Sequence, residues 1–167
     1  MTLHPEIRWR IAVHESGHAV AMDYYDTLTG VTVDCEIVKN WTEEKFAEFA
    51  GGCAMPEPGA WLLLELLSQA VYTIAGPMME DTVMQNPANW NWRRNWQTTW
   101  RGDKAGLQEI ADFQGTDVKK VIRDSAKEFR YLSEKHNWVV KAQAVAEVLM
   151  QRHTLTGSEV RGIVQGV

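Results

Sequence analysis

The sequence predicts a mainly α-helical fold: a helical bundle with a small two-stranded β-ribbon, forming one domain over residues 1–167. Three observations predict it. Apolar residues recur at three- and four-residue spacing in segment after segment. Only one stretch, Gly30–Val38, alternates apolar and polar residues as a strand does. No repeat, low-complexity tract or linker divides the 167 residues, a length that suits one domain with a substantial core.

The elements follow in order. Pro5 suits a first helical turn, and Ile7, Ile11, His14, His18 and Ala21 share one face, so a helix is expected from Pro5 to Tyr25. Gly30 punctuates, and Val31, Val33, Cys35 and Ile37 alternate with polar residues. A lone strand needs a partner, and part of Gly51–Met55 is the expected one. Between them, Trp41-Thr42-Glu43-Glu44-Lys45-Phe46 reads as a helix start, with Thr42 capping and Trp41 stapling onto Phe46. An apolar helix is expected from about Gly59 to Ala75, stopped at Gly76-Pro77, with a short helix restarting at Pro77. Three further helices are expected at Asp103–Phe113, Thr116–His136 and Trp138–Arg152. Thr156, with Glu159 three residues on, forms a capping box that opens a last helix.

Composition excludes several classes. Charged residues make up 23% and the formal net charge is -5, with no Lys/Arg run, so neither nucleic acid nor an anionic membrane is an expected partner. The most apolar run, Ala60 to Leu67, is broken by Glu65 and too short to span a bilayer. The N-terminus lacks an apolar signal region, and two cysteines, Cys35 and Cys53, fit buried reduced thiols, so a cytoplasmic location is expected. Gly51-Gly52 and Pro56-Glu57-Pro58-Gly59 read as turns.

One pattern carries chemistry. His14-Glu15-Ser16-Gly17-His18 is an HExxH motif within the first expected helix. Positions i and i+4 lie one turn apart on one face, so both imidazoles can reach one ion. Neutral imidazole is a good ligand for Zn2+, and zinc makes hydroxide available near neutral pH. Glu15 is placed to take a proton from water and return one to a leaving amine, the work of a general base. Gly17 lowers helix stability by roughly 1 kcal/mol against Ala, which suggests a close approach of another element. A catalytic site needs a third protein ligand, and Glu80, Asp81, Asp103, Glu109, His136 and His153 are the downstream candidates. Spacing does not choose among them.

At this point the chain resembles a known family. His14-Glu15-Ser16-Gly17-His18-Ala19 is similar to the HEAGHA signature in the peptidase domain of the FtsH family of AAA+ zinc proteases. Ile74-Ala75-Gly76-Pro77-Met78-Met79-Glu80 is similar to that family's LGGRAAE segment, with Pro77 in place of an arginine and methionines in place of alanines. In that family an aspartate opening a helix supplies the third zinc ligand. Small or apolar residues follow it at offsets that Leu107, Ile110 and Ala111 reproduce from Asp103. Val145 to Met150 and Thr154 to Val160 resemble the closing helix, turn and capped helix. The resemblance implies His14, His18 and Asp103 as zinc ligands and Glu15 as general base. It implies a zinc metallopeptidase acting on peptides or unfolded proteins. The family's ATPase signature G-x-x-x-x-G-K-[ST] does not occur in these 167 residues. The chain would then act on unstructured segments without ATP, or with a protein partner that supplies unfolding or regulation, and the family's hexamer is not implied. The alternative reading is a catalytically silent binding or adaptor module on the same fold.

Other residues have both a plain and a functional reading. Trp92, Trp96 and Trp100 repeat every four residues, which suits a stripe packed on the core or an aromatic wall of a substrate groove. Arg93 and Arg94 would then meet a substrate carboxylate or simply face solvent. Glu80 is either the third ligand or a carboxylate that orients a ligand histidine. His136 and His153 sit near helix ends, where the helix dipole accounts for them.

Overall fold

The structure is a computed structural model; it describes residues 5–33, 53–56, 59, 64–84 and 100–167. Six helices and three short strands are seen in this set. They are α1 (Pro5–Tyr24), β1 (Leu28–Thr32), β2 (Cys53–Pro56), α2 (Leu66–Met84), α3 (Arg101–Gln114), α4 (Val118–His136), α5 (Trp138–Arg152), β3 (Thr154–Thr156) and α6 (Gly157–Gln165). The fold is mainly helical with a small antiparallel sheet, as expected. Among the described residues, no helix is long and apolar enough to cross a membrane.

Helix α1 runs through the middle of the molecule. From Ile11 to Met22 nearly every residue is buried, including Glu15, Ser16 and His18. An amphipathic face understates this; the helix is covered by α2, α5 and the sheet. Gly17 is the point of closest approach. A Cβ placed on it would lie 2.5 Å from the Ala75 carbonyl oxygen and 2.7 Å from the Met79 Cβ. The absent side chain thus lets α1 and α2 pack backbone to backbone.

Helix α2 departs from expectation. It begins at Leu66, Gly59 lies in a turn with φ of 79°, and the helix passes through Gly76-Pro77 to Met84. Proline inside a helix costs about 3 kcal/mol, because it removes one N–H and crowds the preceding turn. Burial outweighs that here. Gln69, Ala70, Val71 and every residue from Ile74 to Glu80 are buried, and a buried aliphatic side chain contributes about 1.5–3 kcal/mol. The turn ahead of Pro77 also gains an outside donor, since the Tyr72 carbonyl accepts from His18.

The sheet has the order β2-β1-β3. Strands β1 and β2 pair antiparallel, with Val31 opposite Ala54 and Thr32 opposite Cys53, close to the expected ribbon. Strand β1 begins two residues before the expected Gly30 and ends at Thr32; Val33 lies outside it, and residues 34–38 of the expected strand lie outside the described residues. A third strand joins that the sequence reading did not include: β3 pairs with β1 through Leu155 opposite Val31. Its Thr-Leu-Thr alternation is only three residues long, too short to mark a strand. The Oγ1 atoms of Thr32 and Thr154 meet across it at 2.8 Å.

The remaining helices are as expected to within a few residues. Gly115 and Asn137, both left-handed, end α3 and α4, and Asp117 caps α4 by accepting from the Lys119 amide. The capping box of Thr156 and Glu159 is formed at α6. Phe129, Trp138, Leu149 and Leu155 are among the largest fully buried side chains of the core. The helix start expected at Trp41–Phe46, the residues Cys35, Trp90, Trp92, Arg93, Arg94 and Trp96, and the side chain of Cys53 lie outside the described residues.

Candidate metal centre

The HExxH residues sit on α1 where α2 and α3 meet it. His14 and His18 are one turn apart, and their Nε2 atoms face each other at 3.2 Å. Asp103, in the first turn of α3, faces both rings. Its Oδ2 lies 3.3 Å from His14 Nε2 and its Oδ1 lies 3.1 Å from His18 Nε2. Among the described residues, these three form the group of metal-ligating side chains that could hold an ion.

Each ring is held from its outer side. His18 Nδ1 lies 2.7 Å from the Tyr72 carbonyl, which can only accept, so Nδ1 carries the proton. His14 Nδ1 lies 2.9 Å from Glu80 Oε2. The His14 hydrogen bond and charge and the Arg10 guanidinium hold Glu80 below the ordinary carboxylate range despite its burial, so Glu80 accepts and His14 Nδ1 donates. In the neutral rings both Nε2 lone pairs therefore point inward, at each other and at a carboxylate. Two lone pairs facing at this distance repel unless a proton or a cation lies between them.

The spacing fits a metal ion. Donors about 2.0–2.1 Å from the centre of a tetrahedron lie about 3.3–3.4 Å from one another. The two Nε2 atoms are 3.2 Å apart, close to that spacing; Asp103 meets His14 with Oδ2 at 3.3 Å and His18 with Oδ1 at 3.1 Å, and one donor atom from each of the three residues lies within 4.8 Å of the others. The backbone of α2 leaves room for it at Gly76, where a Cβ would lie 2.7 Å from His14 Nε2 and meet His18 Nε2 still more closely.

Without a cation, the neighbouring carboxylates favour protonated rings. Burial pushes both imidazoles down, but Asp103 outweighs it at His18, and Asp103 with Glu80 outweighs it at His14; both are raised. Asp103, although buried, is held well below the ordinary range by the two histidines. A cation would take over the role of those protons.

Glu15 points to the sheet side of the helix. It is 5% exposed, within electrostatic reach of His14, His18 and Asp103, and accepts a hydrogen bond from the backbone of Ala54 on β2. Burial raises its carboxyl above the ordinary value. A carboxylate whose proton affinity is raised by burial, beside a cation site, is placed for proton exchange.

The geometry separates the readings left open for two nearby residues. Glu80 does not join the cluster as an alternative third ligand. Its Oε1 accepts from Arg10 Nε, and its Oε2 accepts from His14 Nδ1 and, at 2.5 Å, from Trp100 Nε1. Both oxygens are engaged on the outer side of His14, where a carboxylate orients the ring. Trp100 does not line a groove: it is fully buried and lies at the start of α3. Of the other candidates, Glu109 is exposed on α3. His136 packs on Tyr24, ten residues beyond His14 and thus about 15 Å along α1. His153 ends α5 in a left-handed conformation. Arg10 was not singled out in the sequence; its position one turn before His14 was the available signal.

No model of a known protein family matches the chain, and comparison with curated proteins gave no match. The functional reading therefore rests on the geometry of the centre.

Proposed function

We propose that the chain is a zinc-dependent peptidase in which His14, His18 and Asp103 hold the metal and Glu15 is the general base. The observation that carries the reading is the convergence of two inward-facing Nε2 atoms and one carboxylate at 3.1–3.3 Å, with a buried glutamate beside them. Two neutral imidazoles and one carboxylate are a donor set suited to zinc, and three protein ligands leave a position open. Zinc bound there supplies the Lewis acidity that makes water nucleophilic at neutral pH.

The chain's own residues do the rest. Glu80 and the Tyr72 carbonyl fix the two rings so that no rotamer search is needed on binding. Asp103 would supply the one negative charge among the three groups that would hold the ion. Glu15 receives a proton at its carboxylate and passes it to the leaving nitrogen, and its elevated affinity for protons makes both transfers feasible. The FtsH-type signature at His14–Ala19 supports this reading, and the substrate proposed is a peptide or an unfolded protein segment, with unfolding left to a partner.

The test is direct. Purified protein is expected to hold about one zinc per chain and to hydrolyse casein. Glu15→Gln is expected to keep the metal and lose hydrolysis by at least about 100-fold. Hydrolysis that survives this substitution removes Glu15 from its role. Zinc without turnover in the parent would instead favour a silent binding module.

A further inference from the structure

The buried indole of Trp100 is not accounted for by metal binding or by proton transfer. It lies three residues before Asp103, at the N-cap of α3, and is fully buried. A tryptophan is a poor choice for capping, and its side chain makes no cap hydrogen bond. Its Nε1–H is instead spent on Glu80 Oε2, the same oxygen that accepts from His14 Nδ1. The contacts close a ring. His14 reaches Asp103 through Nε2 and Glu80 through Nδ1; Glu80 reaches Trp100; and one helical turn joins Trp100 to Asp103.

We propose that Trp100 is a positioning residue that couples the third ligand to the first: it pins the start of α3 to Glu80, and so sets Asp103 and the His14 ring together. The inference rests on the metal-centre reading above. The physical reason is that Glu80 is a buried carboxylate with three donors, and hydrogen bonds to a charged acceptor are short and strong. Without the indole N–H, Glu80 gains freedom to rotate toward Arg10, and the turn carrying Asp103 loses its fixed anchor. A hydrophobic plug at this position would fill the same space but would not orient the carboxylate.

The experiment compares zinc affinity, by competition with a chromogenic chelator, in the parent, Trp100→Phe, Glu80→Gln and the double variant. Removing a partner of a ligand histidine costs about 10–100-fold in metal affinity, and both single variants are expected in that range. The double variant is expected to be no weaker than Glu80→Gln alone, because Trp100 acts through Glu80. Cobalt-loaded Trp100→Phe is expected to show an altered visible spectrum, which a merely space-filling role would not produce. Should Trp100→Phe not fold, the indole N–H signals of the 15N-labelled parent and of Glu80→Gln decide instead. One of the eight tryptophans is expected to shift and to exchange faster on that substitution. Parent-like affinity in Trp100→Phe, losses that multiply in the double variant, or no indole signal responding to Glu80→Gln would each overturn the proposal while leaving the metal centre standing. A parent that holds neither zinc nor cobalt overturns both.

Discussion

His14 and His18 face each other through Nε2 at 3.2 Å, while Glu80 and the Tyr72 carbonyl hold their Nδ1 atoms from outside. Protons and a bound metal would therefore compete for one space, and that competition would give opposite pH dependences. Both imidazoles are raised above 6.5 in the folded, metal-free protein. A raised group stabilises the fold fully below its unfolded value and loses that contribution as pH rises through its folded value. The melting temperature without zinc is thus expected to fall as pH rises above about 6.5. Zinc needs deprotonated rings, so the zinc-induced rise in melting temperature should grow over the same interval. Thermal melts with chelator and with zinc check both. A metal-free melting temperature that climbs across this interval would contradict the arrangement.

Gly76 should be indispensable to the centre although it sits inside a helix. Glycine to alanine at an exposed helix interior usually gains about 1 kcal/mol. Here the new Cβ would lie 2.7 Å from His14 Nε2, inside the space between the rings. Gly76→Ala is expected to lose zinc affinity by more than about 100-fold, since it displaces two ligands at once, while far-UV circular dichroism stays helical. Unchanged zinc affinity would show that the metal lies elsewhere.

Asp103 and Glu80 should differ in rank. Asp103→Ala removes a ligand and is expected to weaken zinc more than Glu80→Ala, whose loss should stay within about 10–100-fold. Chelator competition on the two variants measures this. The reverse order, with Asp103→Ala binding as tightly as the parent, would make Glu80 the ligand.

Adjacent positions on α1 should respond with opposite signs. Among the described residues, the fully buried Ser16 Oγ has no hydrogen-bond partner. Removing an unsatisfied hydroxyl relieves a desolvation cost, so Ser16→Ala is expected to raise stability by about 1 kcal/mol. Gly17→Ala drives a Cβ to 2.5 Å from the Ala75 carbonyl oxygen and is expected to lower it by about 1–3 kcal/mol. Urea denaturation of the two variants compares them; a stabilised Gly17→Ala would mean that α1 and α2 can separate at little cost.

Much of the centre was legible in the sequence. A four-residue spacing on a helix puts His14 and His18 on one face whatever surrounds them. Asp103 was one of six downstream candidates among which spacing did not choose, and it was singled out by resemblance; the structure brings it to both rings. Gly17 advertised a close approach that does occur. What was misread or left open has one origin. Gly76-Pro77 looked like a stop because proline breaks isolated helices, and the four-residue spacing of Trp92, Trp96 and Trp100 left a core stripe and a groove wall both open, of which the burial of Trp100 fits the core. Neither the packing of α1 over α2 nor the depth of the start of α3 is encoded in neighbouring residues.

The sequence by itself therefore determined the helical class, the pair of histidines with the glutamate between them, and the capping box at Thr156. Each depends on residues within one or two turns, whose geometry local backbone rules dictate. Only the tertiary structure decided which carboxylate faces the Nε2 atoms and which holds the Nδ1 side. It also decided that α2 continues through proline and that a third strand joins the sheet. Those outcomes join residues 66 positions apart in the case of His14 and Glu80. They are set by burial and by the need to satisfy buried charge, terms that no local pattern contains.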